Sequence, residues 1–210
     1  MKYSGYLELE TMRLATCYNA FLSGMIIKAA VLDGPVLNFG AGMGTFADEL
    51  KARAIELHCL EPDETLAQKL TDSGHHVIRD IEHVEKSTYG LIYSLNVLEH
   101  IEEDEATLQA LHDCLKPDGT LLLYVPAFQI LYSAMDANVG HYRRYGMRQV
   151  RTLLERSGFD RIRIRYADSL GLFAALIYKW FSRAGGELAA CSRMSSPLSR
   201  LIDSNARRRQ

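Results

Sequence analysis

The sequence predicts an α/β fold: a Rossmann-like, doubly wound, mostly parallel sheet with helices on both faces. Three observations point to it. Short apolar runs alternate with helical stretches from Val36 to Tyr166, the pattern of strands joined by crossover helices. A glycine turn, Gly40-Ala41-Gly42-Met43-Gly44, follows the first apolar run directly. Thr120–Val125 (TLLLYV) carries Leu, Tyr and Val without alternation, as a strand covered on both faces does.

The elements follow in order. Leu7–Ala30 reads as a helix, because Leu14, Tyr18, Phe21, Leu22, Met25 and Ile26 recur at spacings of three and four and form one stripe. Asp33-Gly34-Pro35 breaks it. Val36–Phe39 is then a strand, Thr45–Arg53 a helix, Ile55–Leu60 a second strand, and Glu64–Ser73 a helix ending before Gly74. His76–Arg79 is a weaker third strand, and Leu91–Leu95 a fourth, entered through Tyr89-Gly90. Glu103–Leu115 is a helix stopped by Lys116-Pro117-Asp118-Gly119, which delivers the strand Thr120–Val125. A loop spans Pro126–Tyr145. Met147–Ser157 is a helix closed by Gly158, and Arg161–Tyr166 alternates as a strand near a sheet edge does. Right-handed crossovers leave few topologies. The expected organisation is a helical cap over residues 1–33, a ligand-binding α/β domain over 34–169, and an apolar helix with a tail over 170–210.

Composition narrows the classes. The chain has 210 residues, enough for one domain with a sizeable core. Its net charge of −2 gives no global electrostatic case for nucleic acid. Arg207–Arg209 reads as a solvated end. Cys17, Cys59, Cys114 and Cys191 form no CxxC pair, and no Cys/His cluster has zinc spacing, so no metal is expected. They suit thiols of a reducing compartment. Glu8 and Glu10 interrupt any signal-peptide core. The longest mostly apolar run, Leu170–Phe181, falls short of the roughly twenty residues a membrane span needs. A cytoplasmic protein is expected.

In open α/β sheets the ligand sits beyond the carboxyl ends of the strands, where the glycine turn lies. Glycine lets backbone approach a ligand closely, and the following helix N-terminus offers free N–H groups. The dinucleotide fingerprint GxGxxG would place a glycine at Thr45; the register here is GxGxG, which argues against NAD. Glu61 ends the second strand, about twenty residues on, where a carboxylate can accept from a ribose diol. The bland alternative is a capping acid, but Asp63 already suits that cap. Asp80 ends the third strand and reads equally as an acceptor for an exocyclic amine or as a plain loop aspartate.

The order VLNFGAGMG, LEPDE, RDI, YGLIYSLNVLEHIEED, LKPDGTLLLYVP resembles the class I S-adenosylmethionine-dependent methyltransferases, over about Leu7 to Ser169. The loop DANVGHYRRYGMRQVRTLLERSGF, with ETMRLATCYNAFL, is similar to a bacterial branch found among glycan- and lipid-modifying enzymes. The resemblance implies S-adenosylmethionine as cofactor. Gly40, Ala41 and Gly42 would line its methionine moiety, with Gly44 completing the turn. Glu61 would hold the ribose hydroxyls, Pro62 and Ile81 would flank adenine, and Asp80 would accept from its amino group. Leu95 and Asn96 would close the site, and Tyr18 would cover the cofactor. There are two departures. The family usually has an acid where this chain has Asn38, so weaker cofactor binding is expected. The antiparallel strand that normally closes this fold has no evident counterpart after Leu170; an incomplete sheet edge, a truncated product and disorder are the readings of that tail.

A sulfonium methyl is already activated, so an acceptor must chiefly be aligned with it. No metal is required for that, although a hydroxyl acceptor needs a general base. His100 and His141 are the catalytic candidates, each with a structural alternative. Tyr142, Arg143 and Arg144 are candidates for the acceptor, with the arginines clamping a carboxylate or phosphate; alternatively one arginine pairs with Asp136 and fastens the loop. His58, His75, His76, His83 and His112 have no site context. Leu170–Phe181, with Lys179 and Trp180, could form a lid, a dimer contact or an interfacial helix meeting a lipid-like acceptor, or could pack on its own sheet. The chain is expected to be a monomer or homodimer. The expected function is methyl transfer to oxygen of a small-molecule or lipid-/glycan-linked acceptor. A non-catalytic or truncated cofactor-binding module is the competing reading. A nucleotide-dependent oxidoreductase is disfavoured by the GxGxG register.

Overall fold

A computed structural model of the chain describes residues 16–30, 34–166 and 206–208. The described part of the N-terminal helix is α1, Thr16–Ala29. It is followed by β1 (Val36–Phe39), α2 (Thr45–Ala52), β2 (Leu57–Leu60), α3 (Glu64–Asp72), β3 (His76–Ile78) and β4 (Tyr89–Leu95). Then come α4 (Asp104–Cys114), β5 (Leu115–Tyr124), the short α5 (Ala134–Asn138), α6 (Met147–Arg156), β6 (Phe159–Asp160) and β7 (Ala206–Arg208). Single 3-10 turns occupy Ile81–His83, Leu98–His100 and Gln129–Leu131.

The strands form one sheet in the order β3-β2-β1-β4-β5-β7-β6. Strands β1 to β5 are parallel. The order reverses between β1 and β4, and that reversal opens the crevice at their carboxyl ends. The sheet is covered on both faces. On one, Ile26 of α1 and Ala47 and Leu50 of α2 pack with Val36, Leu91, Tyr93 and Leu122. On the other, Leu108 and Leu111 of α4 and Val150 and Leu154 of α6 pack with Leu37, Phe39, Ile92, Leu121 and Leu123. Alternation along β1 produces this division. It also sends Asn38, only 4% exposed, to the α1–α2 side, where its register neighbours are Cys59 and Tyr93.

Several boundaries shift by a residue or two, the expected loop Pro126–Tyr145 holds the short α5, and three larger departures stand out. The Lys116–Gly119 turn does not separate α4 from β5; the strand begins at Leu115 and absorbs the turn as an irregularity, pairing Tyr89 with Leu115 and then Leu91 with Thr120. A Cβ at Gly119 would stand 2.9 Å from the carbonyl oxygens of both Lys116 and Tyr89, which is why a glycine fits there. The strand expected at Arg161–Tyr166 is instead the two-residue β6, Phe159–Asp160, whose partners among the described residues are Arg208 and Arg207. That backbone is β7, and it corrects the third expectation. The closing antiparallel strand is present, supplied by Ala206–Arg208, which were read as part of a solvated end. Thr120 pairs with Arg207 and Phe159 with Arg208, both antiparallel. A free edge on the ten-residue β5 would leave N–H and C=O groups unpaired. Residues Leu7–Ala15 of the expected first helix, the run Leu170–Phe181, and Cys191 lie outside the described residues. Among the described residues no helix is long and apolar enough to cross a membrane.

Candidate active site

The glycine turn is tied to the sheet by its own backbone. Gly40 and Ala41 both donate to the Leu60 carbonyl, at 2.9 and 3.1 Å, and Gly44 donates to Ala41 at 3.0 Å. Gly40 has φ +78°, and a Cβ there would overlap both methyls of Val97, the residue leaving β4. The first turn and the exit of β4 therefore touch with no space for a side chain between them. Such a cradle accepts only backbone on the ligand side.

Glu61 organises this turn. Its Oε2 accepts from Gly42 N at 2.7 Å and its Oε1 from Asp63 N at 3.0 Å. The residue is 6% exposed. Burial pushes its carboxyl above the usual range, against the two backbone hydrogen bonds. Each oxygen keeps a further lone pair, so both can still accept from a diol. Asp63 caps α3, accepting from Thr65 N and Leu66 N at 3.0 Å each, as the sequence suggests. The tether from Glu61 to Gly42 is not visible in the spacing of those residues.

The other expected cofactor residues have local partners of their own. Pro62 is exposed, and its carbonyl accepts from Arg79 at 3.0 Å. Asp80 is exposed and caps the next 3-10 turn through Glu82 N at 3.0 Å. Ile81, half-buried, packs against the core. Asn96 adopts φ +53° and its N–H donates to Tyr124 at 2.8 Å. Tyr18 of α1 meets Tyr124 edge-on at 6.0 Å, and Leu95 and Phe46 pack beside them. Tyr18 and Leu95 thus share one wall at the carboxyl ends of β4 and β5.

The second part of the site is built by the segment between β5 and α6. Asp136 is its hub, at 1% exposure. Arg144 donates to it twice, from Nε at 2.7 Å and Nη2 at 3.1 Å. His141 Nδ1 lies 3.0 Å from Oδ1. Ser133 donates from N and Oγ at 2.9 and 3.1 Å. Burial alone would raise the Asp136 carboxyl, but hydrogen bonds from His141 and Arg144 and the Arg144 charge hold it well below the usual carboxylate range. Arg143 lies 2.6 Å from Asp104 and donates to the Glu102 carbonyl at 2.8 Å, while Tyr145 donates to Asp104 at 3.0 Å. Both arginines thus bind carboxylates of the protein itself, and Arg144 is the one that pairs with Asp136. Tyr142 alone of the three is exposed.

Asp136 positions His141 against two further groups. His100 stacks on it edge-to-face, with ring centroids 4.6 Å apart. Burial, then the neighbouring His141, lowers the His100 pKa to about 4, against a hydrogen bond that the ring donates to the Gly140 backbone. Glu99 Oε1 stands 4.0 Å from His141 Nε2. Glu99 is 1% exposed, and neither carboxylate oxygen has a hydrogen-bond partner among the described residues. Burial pushes its pKa up to about 8, against the Arg144 charge. Sequence reasoning passed over Glu99, which reads as one more acid in LEHIEED; its place directly behind an apolar strand is the only local hint of burial.

Comparison with known proteins agrees with this geometry. The profile of a methyltransferase domain matches residues 19–164. No curated protein sequence matches the chain. Among solved structures, the chain is similar to phosphoethanolamine N-methyltransferase 2 of Haemonchus contortus in complex with S-adenosyl-L-methionine. That match has 13% identity and a TM-score of 0.66, covering 90% of this chain and 52% of that one; the chain spans about half the length of the nematode enzyme. It is also similar to a SAM-dependent methyltransferase from Archaeoglobus fulgidus, at 14% identity and TM-score 0.64, covering 90% and 93% of the two chains. A third is an S-adenosylmethionine-dependent methyltransferase from Mesorhizobium loti, at 16% identity and TM-score 0.56, covering 81% and 90%. At these identities the structures speak for the fold, and the domain profile for the family. The chain belongs to the methyltransferase-domain family.

Proposed function

We propose that the protein methylates a hydroxyl oxygen of a small-molecule or lipid-/glycan-linked acceptor. The observation that carries the reading is the pairing of a Glu61-tethered glycine cradle with a half-buried histidine pair, His100 after β4 and His141 from the segment between β5 and α6. The cofactor, bound over the cradle, supplies a methyl already activated as a sulfonium. Gly40, Ala41, Gly42 and Gly44 hold its methionine end by backbone. Glu61 takes the ribose hydroxyls, Asp80, Pro62 and Ile81 the adenine, and Tyr18, Leu95 and Asn96 close the pocket. Val97 links the two halves, since it packs on Gly40 and stands two residues before Glu99. The acceptor enters from the side of exposed Tyr142. Its proton leaves at the Glu99–His100–His141 cluster, where a positioned proton acceptor is worth roughly 10²–10⁴ in rate. Helix α1, Thr16–Ala29, acts as a cap, and the α/β domain that follows it acts as the catalytic domain. Nitrogen is the second reading for the acceptor atom, favoured by the fold shared with the nematode N-methyltransferase.

The first test is calorimetric titration with S-adenosylmethionine, S-adenosylhomocysteine and NAD. Micromolar binding of the first two and none of NAD is expected. Glu61→Ala removes a charged acceptor of two N–H bonds, worth about 1.5–3 kcal/mol, so affinity should fall roughly 10- to 100-fold. Unchanged affinity in that variant would remove Glu61 from the site. Radiolabelled transfer to hydroxyl- and amine-bearing acceptors then separates oxygen from nitrogen. Asn38→Asp offers a second check. The added charge should tighten S-adenosylmethionine binding several-fold while costing about 1–3 kcal/mol of stability, because it is buried beside Tyr93 and Cys59. A titration without gain would refute the first half, and an unchanged melting temperature the second.

A further inference from the structure

We infer that Glu99, His100 and His141 form a binding site for one divalent transition-metal ion of the zinc type. The three side chains offer one carboxylate and two imidazole ligands, and their ligand atoms all lie within 4.8 Å of one another. Ligand atoms about 2.0–2.2 Å from a shared zinc stand roughly 3–4 Å apart. The observed 4.0 Å between Glu99 Oε1 and His141 Nε2 is of that size. It is too long for a hydrogen bond and lies between two groups that would otherwise make one.

Two independent observations support the site. The first is Glu99 itself, 1% exposed, with both oxygens buried and without a hydrogen-bond partner among the described residues. A buried carboxylate of that kind is costly unless a cation or a donor meets it. Arg144 lies close enough for its charge to act on Glu99, but the two side-chain hydrogen bonds it makes run to Asp136. The second is the surroundings of the histidines. His141 is held at Nδ1 by the Asp136 carboxylate, which leaves Nε2 facing Glu99. The His100 ring is hydrogen-bonded by the backbone of Gly140, which lies on its Nδ1 side. A carboxylate or carbonyl behind each imidazole is the arrangement that orients metal-bound histidines and fixes their tautomer.

Two imidazoles and one carboxylate suit zinc and its first-row neighbours better than calcium or magnesium. Three protein ligands leave a coordination position open, as catalytic zinc sites do. That position would take the acceptor's hydroxyl and ease its loss of a proton, so that with metal bound the cluster would lower the hydroxyl's pKa in place of the proton-acceptor role given to it above. This role rests on the methyl-transfer reading above; the binding of metal does not.

The test uses the full chain, stripped with EDTA, dialysed, and titrated with Zn²⁺ and Co²⁺. One equivalent should bind with micromolar or tighter affinity, and the Co²⁺ form should show visible d–d bands. Glu99→Gln and His141→Ala should each weaken binding at least about 100-fold, and His83→Ala should leave it unchanged. Circular dichroism melts establish that the variants fold. If Glu99→Gln does not fold, His100→Gln and the Co²⁺ spectrum of the wild type carry the decision. Absence of saturable binding, or affinity unmoved by these substitutions, overturns the site. S-adenosylmethionine is titrated in parallel. Cofactor binding without metal binding sinks this inference alone, whereas metal binding without cofactor binding sinks the methyl-transfer reading and leaves the site standing.

Discussion

Asp136→Ala is expected to destabilise the protein by about 3–5 kcal/mol, the cost of leaving one partner of a buried ion pair uncompensated. Arg144 would keep its charge inside the fold without its ion-pair partner, since both of its side-chain hydrogen bonds run to Asp136. The same carboxylate holds His141 and closes the turn at Ser133, so three contacts disappear with it. In urea the midpoint should fall by roughly 1–3 M if the slope is ordinary for this size. The double variant Asp136→Ala/Arg144→Met should recover part of the loss, because it removes the stranded charge. A change below about 1 kcal/mol in the single variant would mean that the segment between β5 and α6 is held by its apolar contacts instead.

Gly40→Ala is expected to damage stability and cofactor binding together. Alanine at φ +78° costs about 1–2 kcal/mol. Its methyl group would also overlap the side chain of Val97, and overpacking of this kind adds about 1–3 kcal/mol. A β-branched side chain has little freedom to turn aside. Relaxation must therefore move the glycine turn or the exit of β4. Either shift misplaces the backbone that faces the methionine end of S-adenosylmethionine, and affinity should drop more than about tenfold. Gly40→Ala/Val97→Ala separates the causes. Recovery of binding would assign the loss to the clash, and no recovery to the backbone angle. Wild-type affinity in Gly40→Ala alone would show that the turn does not approach the ligand.

Most of the parallel sheet was legible because its signals are local. Val36–Phe39 and its glycine turn, Asp63 before α3, and Gly74 and Gly158 after helices each mark a boundary by chemistry within a few residues. Where pairing is long-range the signal fails. Ala206–Arg208 has no period to read, and it is a strand only because β5 and β6 stand on either side of it. The same limit divides the site. Glu61 could be placed by its distance from the glycine turn, yet its bond to Gly42 N depends on how two loops meet. Arg143 and Arg144, adjacent in sequence, serve different carboxylates because Asp104 and Asp136 arrive from different elements. Glu99 was hidden most completely. Its burial comes from the segment that folds over it, including Tyr142, whose N–H donates to the Glu99 carbonyl at 2.8 Å.

The position of β7 has a consequence for the order of folding. Strands β1 to β5 can pair as they emerge, each with a neighbour already made or soon to follow. Strand β6 cannot, because its place in the sheet is reached only through β7. Thr120 must wait for Arg207, and Phe159 for Arg208. Closing so long a loop is slow for entropic reasons. A nascent chain therefore holds a nearly finished nucleotide-type half-sheet with one long raw edge, and that edge invites pairing with another chain until the last segment arrives.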